Sequence, residues 1–155
     1  MTQSHAYIRT GNTRSGFTML FHEIFDLYHP YIGDKATLYY LYLLRYRNND
    51  ESSYNQGMAW RGRNGIVEKF QLSFSTLPIL DEILEASGLV TIERKPSGRG
   101  KDKIYYIVHD PLDRVQFRDQ ETQIAEELRQ VVVRQGGSIG KLLGKEKGAN
   151  LSMSR

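Results

Sequence analysis

Residues 75–109 read STLPILDEILEASGLVTIERKPSGRGKDKIYYIVH, and this stretch decides the fold. Its first part predicts a helix that begins at Ser75, a good N-cap, and ends at Gly88, since glycine readily takes the left-handed conformation found after helices. Two segments rich in β-branched and aromatic residues follow at 89–95 and 104–109, and they predict two strands. The glycine-rich segment between them predicts a tight turn. The stretch is therefore a helix followed by a β-hairpin.

Upstream of this stretch, the apolar pattern predicts three more helices. A first helix begins near Thr18 and is stopped by the Pro30–Gly33 stretch. A second helix over 34–48 has apolar residues on nearly every side, which is typical of a helix in the middle of a fold. We therefore expect Leu41 to be fully enclosed. A short helix over 66–71 then precedes a tight break before the helix that begins at Ser75.

Positive charge is concentrated in the predicted hairpin. The chain has 21 basic and 18 acidic residues, which gives a net charge of +3. Residues 93–103 contain five cations and two anions, an excess of three, so this short stretch equals the excess of the whole chain. Cations grouped in this way are suited to the phosphate backbone of a nucleic acid.

Composition excludes several classes of protein. The 155 residues include no cysteine, which rules out disulfides, zinc ribbons, iron–sulfur clusters and thiol nucleophiles. Hydrophobic residues make up 39% and charged residues 25%, as in ordinary globular domains. No apolar run approaches the roughly 18 residues of a membrane span, and the first residues lack a signal-peptide core. We expect a cytoplasmic protein with no membrane partner.

The order of predicted elements is central helix, short helix, tight break, second helix, strand, basic turn and strand. This is the layout of a winged helix-turn-helix, a mainly α fold with a small β-wing. In that fold one helix offers its outer side to a groove of DNA, and the wing places cations over a neighbouring phosphate backbone. The order therefore predicts a domain that binds double-stranded DNA.

Two stretches resemble the N-terminal winged-helix domain of the DnaD and DnaB-like primosomal replication initiators of Gram-positive bacteria. Their Tyr-x-Pro-x-Ile-Gly and Ala-x-x-Leu-Tyr pattern, in which the second gap varies between members, falls here on Tyr28, Pro30, Ile32, Gly33, Ala36, Leu38 and Tyr39, with one residue between Ala36 and Leu38. The wing of those proteins, and of plasmid replication initiators, is similar at Gly98, Gly100, Lys101, Ile104 and Tyr105. The resemblance covers residues 17–112. It implies a role in DNA replication initiation in a phage, a plasmid or a bacterial primosome, with a homodimer or higher homo-oligomer and other replication proteins as partners.

The chain divides into four predicted segments. Residues 1–16 are predicted to be a flexible arm, 17–112 the winged-helix domain, 113–134 a linker and a C-terminal helix, and 135–155 a disordered tail. The C-terminal helix is expected from Gln120 and carries a narrow apolar stripe. The stripe consists of Ile124, Leu128, Val131 and Val132. It either pairs with a second copy or lies on its own domain, and we favour pairing.

The predicted DNA-contacting residues lie mostly in the wing. The outer half of the helix over 75–87 is acidic, with Pro78 beside Asp81, Glu82 and Glu85, and it would repel phosphates. Only the start of that helix is suited to phosphates or base edges, through Ser73, Ser75 and Thr76. The predicted wing contacts are Arg94, Lys95, Arg99, Lys101 and Lys103. Secondary candidates are Arg61 and Arg63 before the short helix, and Arg9 and Arg14 in the arm. The alternative is a hairpin tip that is only solvated.

Two segments resemble catalytic or phosphate-binding motifs, but neither meets the requirements of its motif. The segment Gly136–Gly140 fits G-x-S-x-G, but it follows a helix instead of the strand that a nucleophile elbow requires. The segment Gly136–Lys141 is one residue short of a phosphate-binding loop and lacks its Ser or Thr. The four histidines are scattered. We predict no enzyme, no cofactor and no metal.

Three functions remain after these checks. The leading hypothesis is a winged-helix DNA-binding protein in replication initiation, which contacts the DNA backbone through its wing and recruits partners. The first alternative is a transcriptional regulator with the same fold, which would bind a promoter operator instead of an origin. The second is a module for self-assembly or protein interaction without DNA affinity.

Overall fold

The computed structural model describes residues 6–14, 16–47, 62–96, 98 and 103–151. Over these residues the protein is mainly helical with one small antiparallel sheet, as predicted. The elements are a π-helical turn (Ile24–Tyr28), α1 (His29–Arg47), α2 (Gly62–Phe70), α3 (Thr76–Ser87), β1 (Val90–Lys95), β2 (Lys103–Val108), α4 (Arg114–Gln135) and two 3₁₀ turns (Gly137–Lys141 and Ala149–Leu151). No helix among the described residues is both long and apolar enough to cross a lipid bilayer.

The first helical segment begins later than the sequence pattern predicts. Residues 16–21 have no regular structure, and the helical run starts at Glu23. Pro30 lies inside this run, whereas Gly33 interrupts it with a φ of +85°. The break therefore falls at the glycine alone, because only a residue without a Cβ takes this conformation readily.

Helix α1 is buried on one side and is not apolar all round. Its core positions are Ala36, Tyr39, Tyr40, Leu43 and Leu44, spaced three and four apart. Leu38 is 50% exposed. The prediction that Leu41 is fully enclosed was wrong, because Leu41 is only partly buried at the edge of the core.

The helix–break–helix pattern and the hairpin are confirmed. Helix α2 starts earlier than predicted and ends at Phe70, and Gly88 ends α3 in the left-handed conformation with a φ of +84°. The cap of α3 differs from the prediction. The Ser73 Oγ accepts the Thr76 N–H at 3.2 Å, whereas the Ser75 side chain caps nothing.

Helix α4 follows the hairpin without the predicted linker. Its N-cap is Asp113, whose carboxylate accepts the Gln116 N–H at 2.8 Å while the Gln116 side chain accepts the Asp113 N–H at 3.1 Å. This capping box fixes the start of the helix at Arg114.

The apolar stripe of α4 is used inside the chain. Phe117, Ile124, Leu128 and Val131 are buried, and α4 packs on α3. The preference for pairing this stripe with a second copy is therefore corrected, since the stripe already belongs to the core of its own chain.

Residues 137–151, which we name the strap, are also part of the fold. The prediction of a disordered tail over 135–155 was wrong up to Leu151, and residues 152–155 lie outside the described residues. The strap buries Ile139, Leu143 and Leu151 in the same core as α1 and α3. These three apolar side chains supply the burial that the composition of the segment did not suggest.

The strap docks on the break in α1. Because Gly33 interrupts the helix, the carbonyl groups of Pro30 and Tyr31 need new donors. The Gly144 N–H donates to the Tyr31 carbonyl at 2.9 Å, and the N–H groups of Lys147 and Gly148 donate to the Pro30 carbonyl at 3.0 Å. The strap therefore replaces hydrogen bonds that the break removed.

Candidate nucleic-acid interface

The β1–β2 hairpin has an inner and an outer face. Its register pairs Val90 with Val108 and continues to Lys95 opposite Lys103. Side chains alternate across a strand, so residues two apart share a face. The inner face carries Val90, Ile92, Tyr106 and Val108, all buried or partly buried. The outer face carries Thr91, Glu93, Lys95, Tyr105 and Ile107, all exposed.

A buried carboxylate anchors the inner face of the hairpin. Asp81 on α3 is only 3% exposed, and it accepts the Tyr39 hydroxyl at 2.7 Å and the Tyr106 hydroxyl at 3.1 Å. Burial, together with the nearby Asp81, raises the pKa of Tyr39 far above its ordinary value. Tyr39 therefore remains a hydrogen-bond donor at physiological pH. One carboxylate therefore ties α1, α3 and β2 together and fixes the hairpin against the helix.

This anchor corrects the predicted acidic outer half of α3. Asp81 lies in the core instead of on the surface. Glu82 is paired with Arg134 of α4 at 3.1 Å and also accepts a hydrogen bond from the Gln135 side chain. Glu85 accepts the Ile92 N–H of β1 at 3.3 Å. The three carboxylates are held by neighbouring elements, and the charge of Glu82 is offset by Arg134.

The hairpin runs back along α3 towards the start of that helix. The hairpin begins beside the end of α3, because α3 ends at Ser87 and β1 starts at Val90, and the Ile92 N–H then donates to Glu85 inside that helix. From Ile92 to Lys95 the strand extends about 10 Å. From Glu85 back to Thr76 the helix extends about 13.5 Å. Over its first residues the hairpin therefore runs from the end of α3 towards the start of that helix.

The predicted residues at the start of α3 form one cluster. Ser73 and Ser75 are exposed and Thr76 is partly exposed. The Ser73 Oγ lies 3.0 Å from the Ser75 Oγ and 2.7 Å from the Thr76 Oγ1. These hydroxyls lie just before and at the first residue of α3, where backbone N–H groups and the helix dipole favour an anion.

Two predicted wing cations are described in full, and both are exposed. Arg94 and Lys95 form no ion pair with a described carboxylate. The Lys95 Nζ lies 5.3 Å from the centre of the Tyr105 ring, at a distance typical of a cation–π contact. Their charge is thus available to a ligand.

The other predicted contacts are described in part or not at all. Arg61, Arg99 and Lys101 lie outside the described residues. Lys103 is the first residue of β2 and Arg63 lies in the first turn of α2, and only their backbone is described. Arg9 and Arg14 are exposed in a segment without regular structure.

A cleft elsewhere on the protein has the opposite charge. It has a volume of about 640 Å³ and lies between the end of α3 and the first half of α4. Asp110, Asp119 and Glu127 are among its lining residues. This cleft does not suit phosphates. Within the described ranges no group of His, Asp and Glu side chains could hold a metal ion.

Sequence reasoning missed two features of the interface. It placed Asp81 on the surface because a helical wheel shows a single apolar half, whereas α3 is covered by α1, α4 and the hairpin. It also did not separate Tyr105 from Tyr106, because IYYIVH does not alternate between apolar and polar residues. The signal available was the register, which puts adjacent residues on opposite faces.

No protein-family model, curated protein or solved structure matches the chain.

Proposed function

We propose that this chain is a winged helix-turn-helix protein that binds the backbone of double-stranded DNA. In this proposal α2 and α3 are the helix pair and the β1–β2 hairpin is the wing. The observation that carries it is the direction of the hairpin. Continued in that direction, the hairpin would bring its cation-bearing end towards the side of the protein that holds the hydroxyl-rich start of α3, where one duplex could contact both.

The charge pattern supports the same surface. Arg94 and Lys95 are exposed and form no ion pair with a described carboxylate. The sequence adds Arg99, Lys101 and Lys103 in and next to the turn. Neutralised phosphates release counterions, so each such contact adds affinity that falls as salt rises.

A role in replication initiation completes the proposal, and it rests on the resemblance of residues 17–112 to the primosomal initiators. The alternative within the same fold is a transcriptional regulator. Selection of bound fragments from the genome that encodes the chain separates these roles. Fragments from a replication origin with repeats support the first, and promoter operators support the second.

A second function, self-assembly, is favoured by a different observation. Large apolar side chains are exposed before α1, and they are Phe17 (73%), Met19 (71%), Phe21 (46%) and Phe25 (53%). A patch of this kind is typical of an interaction surface. Sedimentation at several protein concentrations, with and without DNA, measures whether the chain assembles independently of DNA.

The DNA proposal is tested by removing three cations of the wing. The triple variant Arg99→Gln, Lys101→Gln, Lys103→Gln is titrated with duplex DNA at several salt concentrations. We expect weaker binding to all sequences, and a salt slope that is shallower by about 0.9 for each phosphate that the variant no longer neutralises. Gln keeps a polar side chain of similar length, so the change removes charge and little else.

A matched control removes the same charge elsewhere. The variant Lys35→Gln, Lys141→Gln, Lys145→Gln changes three exposed lysines outside the hairpin and brings the net charge from +3 to zero, as the wing variant does. We expect its salt slope to stay close to that of the parent. Equal slopes in all three proteins would exclude the wing as the DNA contact.

A further inference from the structure

The outer face of the hairpin carries two apolar side chains that the protein does not cover. Tyr105 is 45% exposed and Ile107 is 39% exposed. The next residue, Tyr106, points inward, and its hydroxyl donates to the buried Asp81. Two adjacent tyrosines of one strand therefore have opposite surroundings.

A purely structural role does not account for Tyr105. On a two-stranded sheet an aromatic residue usually packs against an apolar or aromatic residue directly across the ladder. Here the residue opposite Tyr105 is Glu93, and Ile107 is opposite Thr91. Within the described part of the chain, the Tyr105 ring lies next to the Lys95 Nζ. The ring is thus presented to solvent beside a cation.

We propose that this outer face binds single-stranded nucleic acid, with one unpaired base stacked on Tyr105 and Lys95 on an adjacent phosphate. The inference rests on the proposed function and extends it from duplex DNA to DNA with unpaired bases. Aromatic rings beside cations are the recurring platform for single strands, because each base offers a flat face and each nucleotide a phosphate. Charge complementarity selects this occupant over an apolar peptide.

The expected contributions to binding favour a base stacked on the Tyr105 ring over the Lys95 ammonium group that now lies beside it. An exposed cation–π contact contributes about twofold to fivefold to an equilibrium constant. Stacking of a base on an aromatic side chain contributes about fivefold to 150-fold in affinity. The Lys95 stem is long and flexible, so its ammonium group can leave the ring and contact a phosphate. Glu93 is the described carboxylate on this face, and the sequence of residues 93–103 contains five cations against two anions.

The test compares two probes of equal length, an oligothymidylate and a duplex, by fluorescence anisotropy. The variant Tyr105→Val removes the ring and keeps a side chain that favours β-strands. We expect it to weaken binding of the single strand by about fivefold to 150-fold and to change duplex binding by no more than about twofold. Tyr105→Phe keeps the ring, and we expect it to bind both probes within about twofold of the parent.

A second readout reports contact directly. An oligothymidylate that contains 5-iodouracil is irradiated with the parent protein, and the crosslinked peptide is identified by mass spectrometry. We expect the crosslink at Tyr105 and its absence in Tyr105→Val. The matched control is Tyr7→Val, which makes the same substitution at a tyrosine that is 84% exposed outside the hairpin. Circular dichroism confirms that each variant is folded.

The outcomes separate this inference from the proposed function. If duplex DNA binds with a salt slope that the wing variant reduces, and Tyr105→Val binds the single strand like the parent, the stacking site is excluded and the DNA-binding proposal stands. If neither probe binds the parent, both are excluded. If Tyr7→Val weakens binding of the single strand as much as Tyr105→Val does, the effect does not come from the outer face.

Discussion

Two segments of this chain, 96–103 and 136–148, are both rich in glycine and lysine, yet they have opposite surroundings. A Cβ on Gly98, in the first segment, would meet no atom within 4 Å. A Cβ on Gly144, in the second, would overlap the Pro30 carbonyl group. The first segment connects the strands of the hairpin, and the second packs backbone against backbone on the break in α1.

The difference comes from a few apolar residues. The strap carries Ile139 and Leu143, which are buried, whereas the segment 96–103 contains no large aliphatic or aromatic side chain. Glycine and lysine alone cannot offset the entropy of ordering a chain. In the strap, three buried apolar side chains and the three backbone hydrogen bonds to Pro30 and Tyr31 contribute to this offset. Composition is thus a poor guide to order when the apolar residues are few and correctly spaced.

The largest expected effect is that of Gly144→Ala. No positive φ is involved at this position, so the cost is the clash with Pro30 together with the hydrogen bond that the displaced strap loses. Overpacking costs about 1–3 kcal/mol and a broken hydrogen bond about 1 kcal/mol, so we expect stability to fall by about 2–4 kcal/mol. Urea unfolding monitored by circular dichroism measures the change.

The control for this substitution is Gly98→Ala in the other segment. The site is open, and its cost comes only from the φ of +77°, at about 1–2 kcal/mol. A Gly144→Ala protein no less stable than Gly98→Ala would mean that the strap does not hold the break in α1. Such a result would remove the contrast between the two segments.

These two segments also show what sequence can predict. The helix–break–helix pattern and the hairpin follow from local signals, such as the left-handed Gly88 after α3 and the β-branched residues of the strands. The docking of Gly144 could not be predicted, because a glycine that permits close approach looks the same in sequence as one that permits disorder. Its partner, the break at Gly33, lies more than 100 residues away.

The candidate interface likewise has a part that the sequence predicts and a part that it does not. The exposure of Arg94 and Lys95 follows from the hairpin that the sequence predicts. The burial of Asp81 does not, because it depends on hydroxyls from α1 and β2 that only the folded chain brings together. A charged residue is expected at the surface unless its partners are known.

A smaller effect is expected from Asp81→Asn, which tests the anchor of the hairpin. The carboxylate accepts two tyrosine hydroxyls, and an amide offers one oxygen in their place, so one hydroxyl must turn or lose its partner. We expect stability in thermal or urea unfolding to fall by about 1–3 kcal/mol. The control is Glu85→Gln on the same helix, where the amide oxygen can still accept the Ile92 N–H. Equal stability of the two variants would show that Asp81 does not hold the hairpin.

The smallest expected effect is an acid dependence at the strap. Glu121 of α4 accepts the Tyr31 hydroxyl at 2.6 Å and pairs with the Lys147 Nζ at 3.2 Å. The hydrogen bond from Tyr31, followed by the bond and charge of Lys147, lowers the pKa of Glu121 against a smaller opposing effect of burial. Its contribution to stability is therefore complete above the ordinary pKa of about 4.5 and is lost as pH falls through the lowered value.

The matching measurement follows the midpoint of thermal unfolding of the parent and of Glu121→Gln from pH 7 to pH 3. We expect the parent to be more stable at pH 7 by less than about 1 kcal/mol, because the pair is partly exposed to solvent. The difference between the two curves should shrink as pH falls below the ordinary value of about 4.5 and the parent carboxyl takes up its proton at the lowered pKa. Other carboxylates titrate in both proteins, so the difference between the curves isolates Glu121. A constant difference across this range would mean that the charge of Glu121 does not hold the strap to α4. The strap would then be held by its backbone hydrogen bonds to α1 and by its buried side chains.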